Sequence, residues 1–123
     1  MFAARNGHAD CVERLLRADG INVNAVAVQG LTALMFAAQN GHTDCVERLL
    51  SAPGINVNAV NAQGGTALMF AAANGHADCI QPLISNGANI DMRDNFHSTA
   101  LVIARHFDHQ RVVNLLVDEG YEV

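Results

Sequence analysis

The sequence predicts an all-α repeat solenoid, about four helix-turn-helix units stacked side by side, and two observations carry that expectation. Gly7, Gly41 and Gly75 stand 34 residues apart, as do Cys11, Cys45 and Cys79; a fixed period of this size marks a stacked-repeat protein rather than a globular domain. Within the repeated stretch from Gly30 to Leu50, Leu34, Ala37 and Ala38 recur at helical spacing, and after Gly41 a second set, Cys45, Val46, Leu49 and Leu50, does the same. Each helix is shorter than the ~12 to 15 residues that an isolated helix needs in water, so the pairs must be held by their neighbours. The 123 residues read as one domain with units at 1–26, 27–60, 61–93 and 94–123.

Met1-Phe2-Ala3-Ala4 aligns with Met35-Phe36-Ala37-Ala38, so the first unit starts inside its first helix, and we expect the chain to be a piece of a longer array. Residues 1–30 match residues 35–64 at 24 of 30 positions, which points to a recent duplication. In the second unit, Gly41 sits where the first helix must stop and the chain reverse, a place that favours the left-handed backbone of glycine. Asp44 then falls in the first turn of the second helix, near the positive end of its dipole.

Gly30, Thr32, Leu34, Ala37, Ala38, Gly41, His42, Leu49 and Leu50 together resemble the ankyrin repeat, whose pattern runs G-x-T-P-L-H-x-A-A-x-x-G-H into a Val/Leu-rich second helix. The match covers essentially the whole chain. Ala33 and Met35 depart from the family's Pro and His, as do Ala67 and Met69, which questions the usual Thr/His hydrogen bonding at that corner. The tetratricopeptide repeat shares the period and stays as the lesser alternative, but its Trp, Leu-Gly and Tyr signals are missing. The resemblance implies an ankyrin-like stack whose units are joined by β-hairpin fingers, here at residues 19–25, 53–59 and 86–92. Asn61-Ala-Gln-Gly64 carries the finger turn, Ala27-Val-Gln-Gly30 is a weaker version, and Asp94-Asn-Phe-His97 puts His97 where Gly belongs, at a cost unless the turn has changed type.

The third unit carries Pro82 in its second helix, where Arg48 stands one unit earlier; a late start or a bend is expected there. In the fourth unit Ala72 is replaced by Arg105, Gly75 by Asp108 and Asp78 by Arg111. Charge at small and turn positions is what a C-terminal capping repeat needs when its outer face meets water.

Composition narrows the function. Twelve acidic residues stand against seven basic ones, all Arg, and the net charge of −5 disfavours a phosphate backbone, so no nucleic acid partner is expected. No apolar run reaches the ~18 residues of a membrane span and no signal peptide opens the chain, which makes cytoplasmic or nuclear residence the expectation. His8/Cys11, His42/Cys45 and His76/Cys79 have superficially metal-like spacing. Successive pairs are separated by a whole repeat, however, roughly the 8 to 10 Å between packed helices, whereas zinc needs four ligands within ~2.3 Å. The cysteines therefore read as buried hydrophobes and the histidines as helix-start residues. No nucleophile elbow, phosphate-cradling loop or dinucleotide fingerprint occurs. No enzyme, metal, cofactor or small-molecule substrate is expected.

The resemblance then implies a non-catalytic protein-binding module, a monomer that grips another protein on the concave face made by fingers and first helices. The alternative is a spacer or targeting segment of a longer array or multidomain protein. Positions the family leaves variable carry Val26, Val28, Gln29, Leu31, Gln39, Asn40, Val60, Ala62, Gln63 and Asn74. Towards the C-terminal end they carry Arg93, Asn95, Phe96, His106 and Phe107, where aromatics and Arg suit a partner pocket. Against that, Phe96 and Phe107 could fold back to cover the open end of the stack.

Overall fold

Thr32, Thr66 and Thr99 each take an extended backbone and open a helix, with the hydroxyl accepting a hydrogen bond from the backbone N–H three residues on, at Met35, Met69 and Val102. Each cap satisfies a donor the helix cannot satisfy itself. At Thr32 the Met35 thioether also accepts from the Thr32 N–H at 3.4 Å, so Met stands in for the missing His at this corner. In the computed structural model, which describes residues 32–118, these caps begin α1 (Ala33–Gln39), α3 (Ala67–Ala73) and α5 (Ala100–His106). Each is followed by an antiparallel partner, α2 (Thr43–Leu50), α4 (Ala77–Ser85) and α6 (Gln110–Asp118).

The reversal inside each pair uses a left-handed residue. Gly41 has φ 70° and Gly75 φ 72°, and each preceding Asn, Asn40 or Asn74, closes its helix. Asp44 and Asp78 lie in the first turns of α2 and α4, and Arg48 lies in the last turn of α2, as the helix dipole favours. The pairs stack into an inner row, α1, α3 and α5, and an outer row, α2, α4 and α6, each helix touching its neighbours in the row. The core between the rows is built on small residues, Ala37, Ala38, Ala71, Ala72 and Ala104, with Val46, Ile80, Leu83, Val112 and Leu116 filling the space they leave. Together these elements make an all-α repeat stack.

Three local expectations change. Pro82 does not delay its helix: α4 begins at Ala77, in register with Thr43 of α2. Burial of Ala77, Cys79, Ile80 and Leu83 holds the start in place. The strain is met in the first turn, which closes by a tighter bond from Cys79 N–H to His76 O (3.0 Å), where α2 closes from Val46 N–H to His42 O. As the sixth helical residue, Pro82 still withholds the N–H that would serve the Asp78 carbonyl. Pro82→Arg is therefore expected to raise stability by about 1 to 3 kcal/mol in a urea melt; no rise would mean that the tightened turn has already relieved the clash.

The fingers, second, carry no paired strands among the described residues. Their backbone is taken up by local side-chain bonds instead: Asn56 Oδ1 accepts from Asn58 N–H and Asn89 Oδ1 from Asp91 N–H, a competition with ladder formation that is typical of Asn. Third, His97 has not changed the turn. It adopts φ 65° where Gly64 has 79°, and the bond from His97 N–H to Asp94 O repeats that from Gly64 N–H to Asn61 O.

Candidate functional site: a groove under the fingers

The finger turns are built from one carboxamide and one carboxylate at matching positions. Asn61 Oδ1 accepts from the N–H groups of Gln63 and Gly65, and Asp94 Oδ1 from those of Phe96 and Ser98, all within 3.0 Å. Neighbouring fingers are then tied together, because Asn95 donates its backbone N–H to Gln63 O (2.9 Å) and its Nδ2 to Ala62 O (3.1 Å). Beneath them opens a groove of about 250 Å³, roofed by Asn61, Gln63, Gly65 and Asp94 and floored by Met69, Phe70 and Ala73 of α3 with Ile103 of α5. Its lining is apolar at the floor and carries a single ionisable side chain, Asp94.

The residues that the sequence offered as contacts are dispersed around this groove. Gln63 lines it. Val60 and Ala62 are exposed on the same finger, and Asn95, exposed as well, is spent on bracing the fingers. Phe96 is 76% exposed at the tip of the last finger, while Phe107 is 53% exposed beyond the other end of α5. A helix of that length spans about 10 Å, so the two rings do not form one patch. Phe107 instead makes an edge contact with His106 (centroids 4.8 Å) and stacks on His109. Neither ring folds into the core. Arg93, exposed, reaches His97 O from Nη1 at 3.4 Å. Gln39, Asn40 and Asn74 are exposed at the far ends of the inner helices, with the two Asn side chains donating to Phe36 O and Phe70 O. Val26, Val28, Gln29 and Leu31 lie outside the described residues.

Sequence reasoning missed the groove floor. A signal was present: Phe36, Phe70 and Ile103 occupy equivalent positions in their helices, and each is half-buried. In a segment as uniformly apolar as Ala67-Leu-Met-Phe-Ala-Ala-Ala73, periodicity does not single out the one residue that faces outward.

The histidines and cysteines serve the stack. His76 Nε2 meets Gln39 O at 2.9 Å and His109 Nε2 meets Ala73 O at 3.0 Å, each ring lying over the reversal glycine of the preceding pair. Cys45 and Cys79 are fully buried and free; Cys11 lies outside the described residues. Burial pushes both thiols above their ordinary value. The Asp44 charge pushes Cys45 further while Arg48 opposes it, and Thr43, 3.6 Å from Cys79 Sγ, partly offsets the rise there. A raised thiol is a poor nucleophile. Because the folded thiols ionise later than unfolded ones, their stabilising contribution is complete below the unfolded pKa of ~8.5 and is lost as pH climbs through the folded values. Urea melts above pH 9 should therefore show stability falling, and Cys45→Ala with Cys79→Ala should flatten that fall; an unchanged slope would assign it to other groups. Among the described residues no three His, Cys, Asp or Glu side chains come together as metal ligands, and no helix is long and apolar enough to cross a membrane.

A search of curated proteins returns no significant match. A family model described as ankyrin repeats (3 copies) matches residues 1–61 and again 53–123. Members of that family are generally protein–protein interaction modules and typically non-catalytic. The capped helix pairs, their left-handed reversals and the match over the whole length lead to one conclusion: this chain belongs to the ankyrin repeat family.

Proposed function

We propose that the chain is a non-catalytic protein-recognition module that holds its partner on the concave face, with the groove between the third and fourth units as its centre. The observation that carries this reading is the apolar floor of Met69, Phe70, Ala73 and Ile103 left open beneath finger turns that are already hydrogen-bonded to one another. A concave, mostly apolar cleft with a few fixed polar groups is the usual form of a binding site. A preorganised rim lowers the ordering cost of binding. Gln63, Val60 and Phe96 would extend the contact along the fingers, with Arg93 beside them. Val26, Val28, Gln29 and Leu31 would prolong it towards the first finger, and Gln39, Asn40, Asn74, His106 and Phe107 would do so at the far ends of the inner helices.

Two variants separate this reading from a spacer role. Ile103→Asp places a charge in the groove floor, and Phe96→Ala removes an exposed ring; the second is expected to change stability by less than about 0.5 kcal/mol. Proteins retained by the immobilised wild-type chain should be lost with Ile103→Asp and weakened at least tenfold with Phe96→Ala, while circular dichroism shows the helices intact. Retention of the same proteins by both variants would sink the concave-face assignment and favour the spacer.

A further inference from the structure

Three described Asn-Gly pairs end helices in this chain: Asn40-Gly41 after α1, Asn74-Gly75 after α3 and Asn86-Gly87 after α4. Asn-Gly is the dipeptide most prone to deamidation, because glycine has no side chain to hinder attack by its own backbone nitrogen. That nitrogen attacks Cγ of the Asn side chain, a C–N bond forms, and ammonia leaves to give a succinimide. Water then opens the ring at either carbonyl, yielding aspartate or isoaspartate.

The three pairs are matched in their local bonding. Each Asn donates Nδ2 to the carbonyl four residues earlier, Phe36, Phe70 or Pro82, at 2.8 to 2.9 Å. Each Gly N–H is held by a carbonyl of the last turn, at Ala38, Ala72 or Ile84, and the residue after each Gly bonds back to Ala37, Ala71 or Leu83. All three Asn side chains are exposed. Deamidation in the folded chain therefore requires the cap to open, and the rate follows how readily it does so.

What differs is the cover. A Cβ on Gly41 would fall 2.6 Å from the His76 ring and one on Gly75 equally close to the His109 ring, so both glycines lie under a ring that is itself hydrogen-bonded to the same inner helix. Among the described residues nothing lies within 4 Å of the corresponding place on Gly87, which is exposed. The first two pairs are also followed at once by another helix, whereas Asn86-Gly87 leads into a finger. We propose that Asn86 is the selective deamidation site of the folded stack, the other two being protected by the histidine of the next unit.

The site is placed where its conversion matters. Gly87 O accepts from Asn58 Nδ2 (3.1 Å) and Asn58 Oδ1 from Asn89 N–H (2.7 Å), the bonds that tie two successive fingers at this corner. Isoaspartate at 86 would insert a methylene into the main chain just before that junction. Aspartate would replace the donor to Pro82 O with a carboxylate at the negative end of the helix. Either product loosens the coupling between the second and third units, the third of which forms one side of the groove.

The test is a time course of the full chain at mildly alkaline pH and native temperature, with peptide mapping for the mass shift of amide-to-acid conversion. Asn86 is expected to convert roughly tenfold faster than Asn40 or Asn74, the ratio produced by a ~1.4 kcal/mol easier opening. The same chain in denaturant should convert all three at comparable rates. His76→Ala uncovers Gly41 and should accelerate Asn40 with Asn86 as the internal reference; if that variant unfolds, Asn74 and Asn86 accelerate too, and the wild-type ranking decides. Conversion of Asn40 or Asn74 as fast as Asn86 in the native wild type overturns the proposal, as does a folded His76→Ala variant in which Asn40 keeps its original rate.

Discussion

Gly75→Ala is expected to cost the stack about 2 to 3 kcal/mol, a large loss for a surface-level methyl group. Two effects combine. A non-glycine residue held at φ 72° carries roughly 1 to 2 kcal/mol of left-handed strain. The new Cβ, 2.6 Å from His109 Nδ1, must also displace the ring and with it the 3.0 Å contact to Ala73 O, a hydrogen bond worth about 0.5 to 1.5 kcal/mol. Asp108 occupies the equivalent place in the last unit, with φ 59°. Asp108→Gly should therefore move stability the other way, by up to about 1 kcal/mol once the extra chain entropy of glycine is counted. Urea melts of the two variants check the pair of signs. A loss below ~0.5 kcal/mol for Gly75→Ala would show that the His109 ring can swing aside freely.

Ile80→Ala should destabilise by about 2 to 5 kcal/mol, the range for emptying a core site that its surroundings cannot refill. Ile80 is wholly buried in α4, whose outer-row neighbours are α2 and α6, so its loss weakens the row in both directions. In a stack where each unit touches only its neighbours, this is the interface term on which the ends depend. The counter-case is Val102, which lies one unit on from the buried Met35 and Met69 but is 50% exposed because no further described unit covers it; Val102→Ala should cost under ~0.5 kcal/mol. Similar losses for Ile80→Ala and Val102→Ala would mean that the stacking is looser than its geometry implies.

Much of the fold was legible because its signals are local. Left-handed glycines, acidic first turns and a 34-residue period each act within a few residues or repeat on schedule, so Gly41 and Asp44 could be assigned without knowing their neighbours. The candidate site was less legible. Gln63 was identified as facing the partner side and lines the groove, but Phe70 and Ile103, its floor, were hidden within the apolar runs Ala67–Ala73 and Ala100–Ala104. Asn95 read as a free position and is a brace between fingers. Arg111 read as charge entering a capping unit; in the structure its guanidinium lies 3.6 Å from the Asp78 carboxylate of the preceding unit, an exposed pair of small energetic weight.

The sequence by itself determined the unit, its reversals and the order of stacking, since these depend on backbone conformation and on the repeat of apolar residues along one chain. Only the tertiary structure decided which apolar side chain of each inner helix looks outward, because that depends on the offset between neighbouring units rather than on any one of them. It also decided the fate of the exceptions. His97 and Asp108 hold left-handed conformations as exposed residues, whereas a Cβ on Gly64 or Gly75 would meet Asn95 or His109. Pro82 keeps its helix in register because the burial of Ile80 and Leu83 outweighs one missing hydrogen bond.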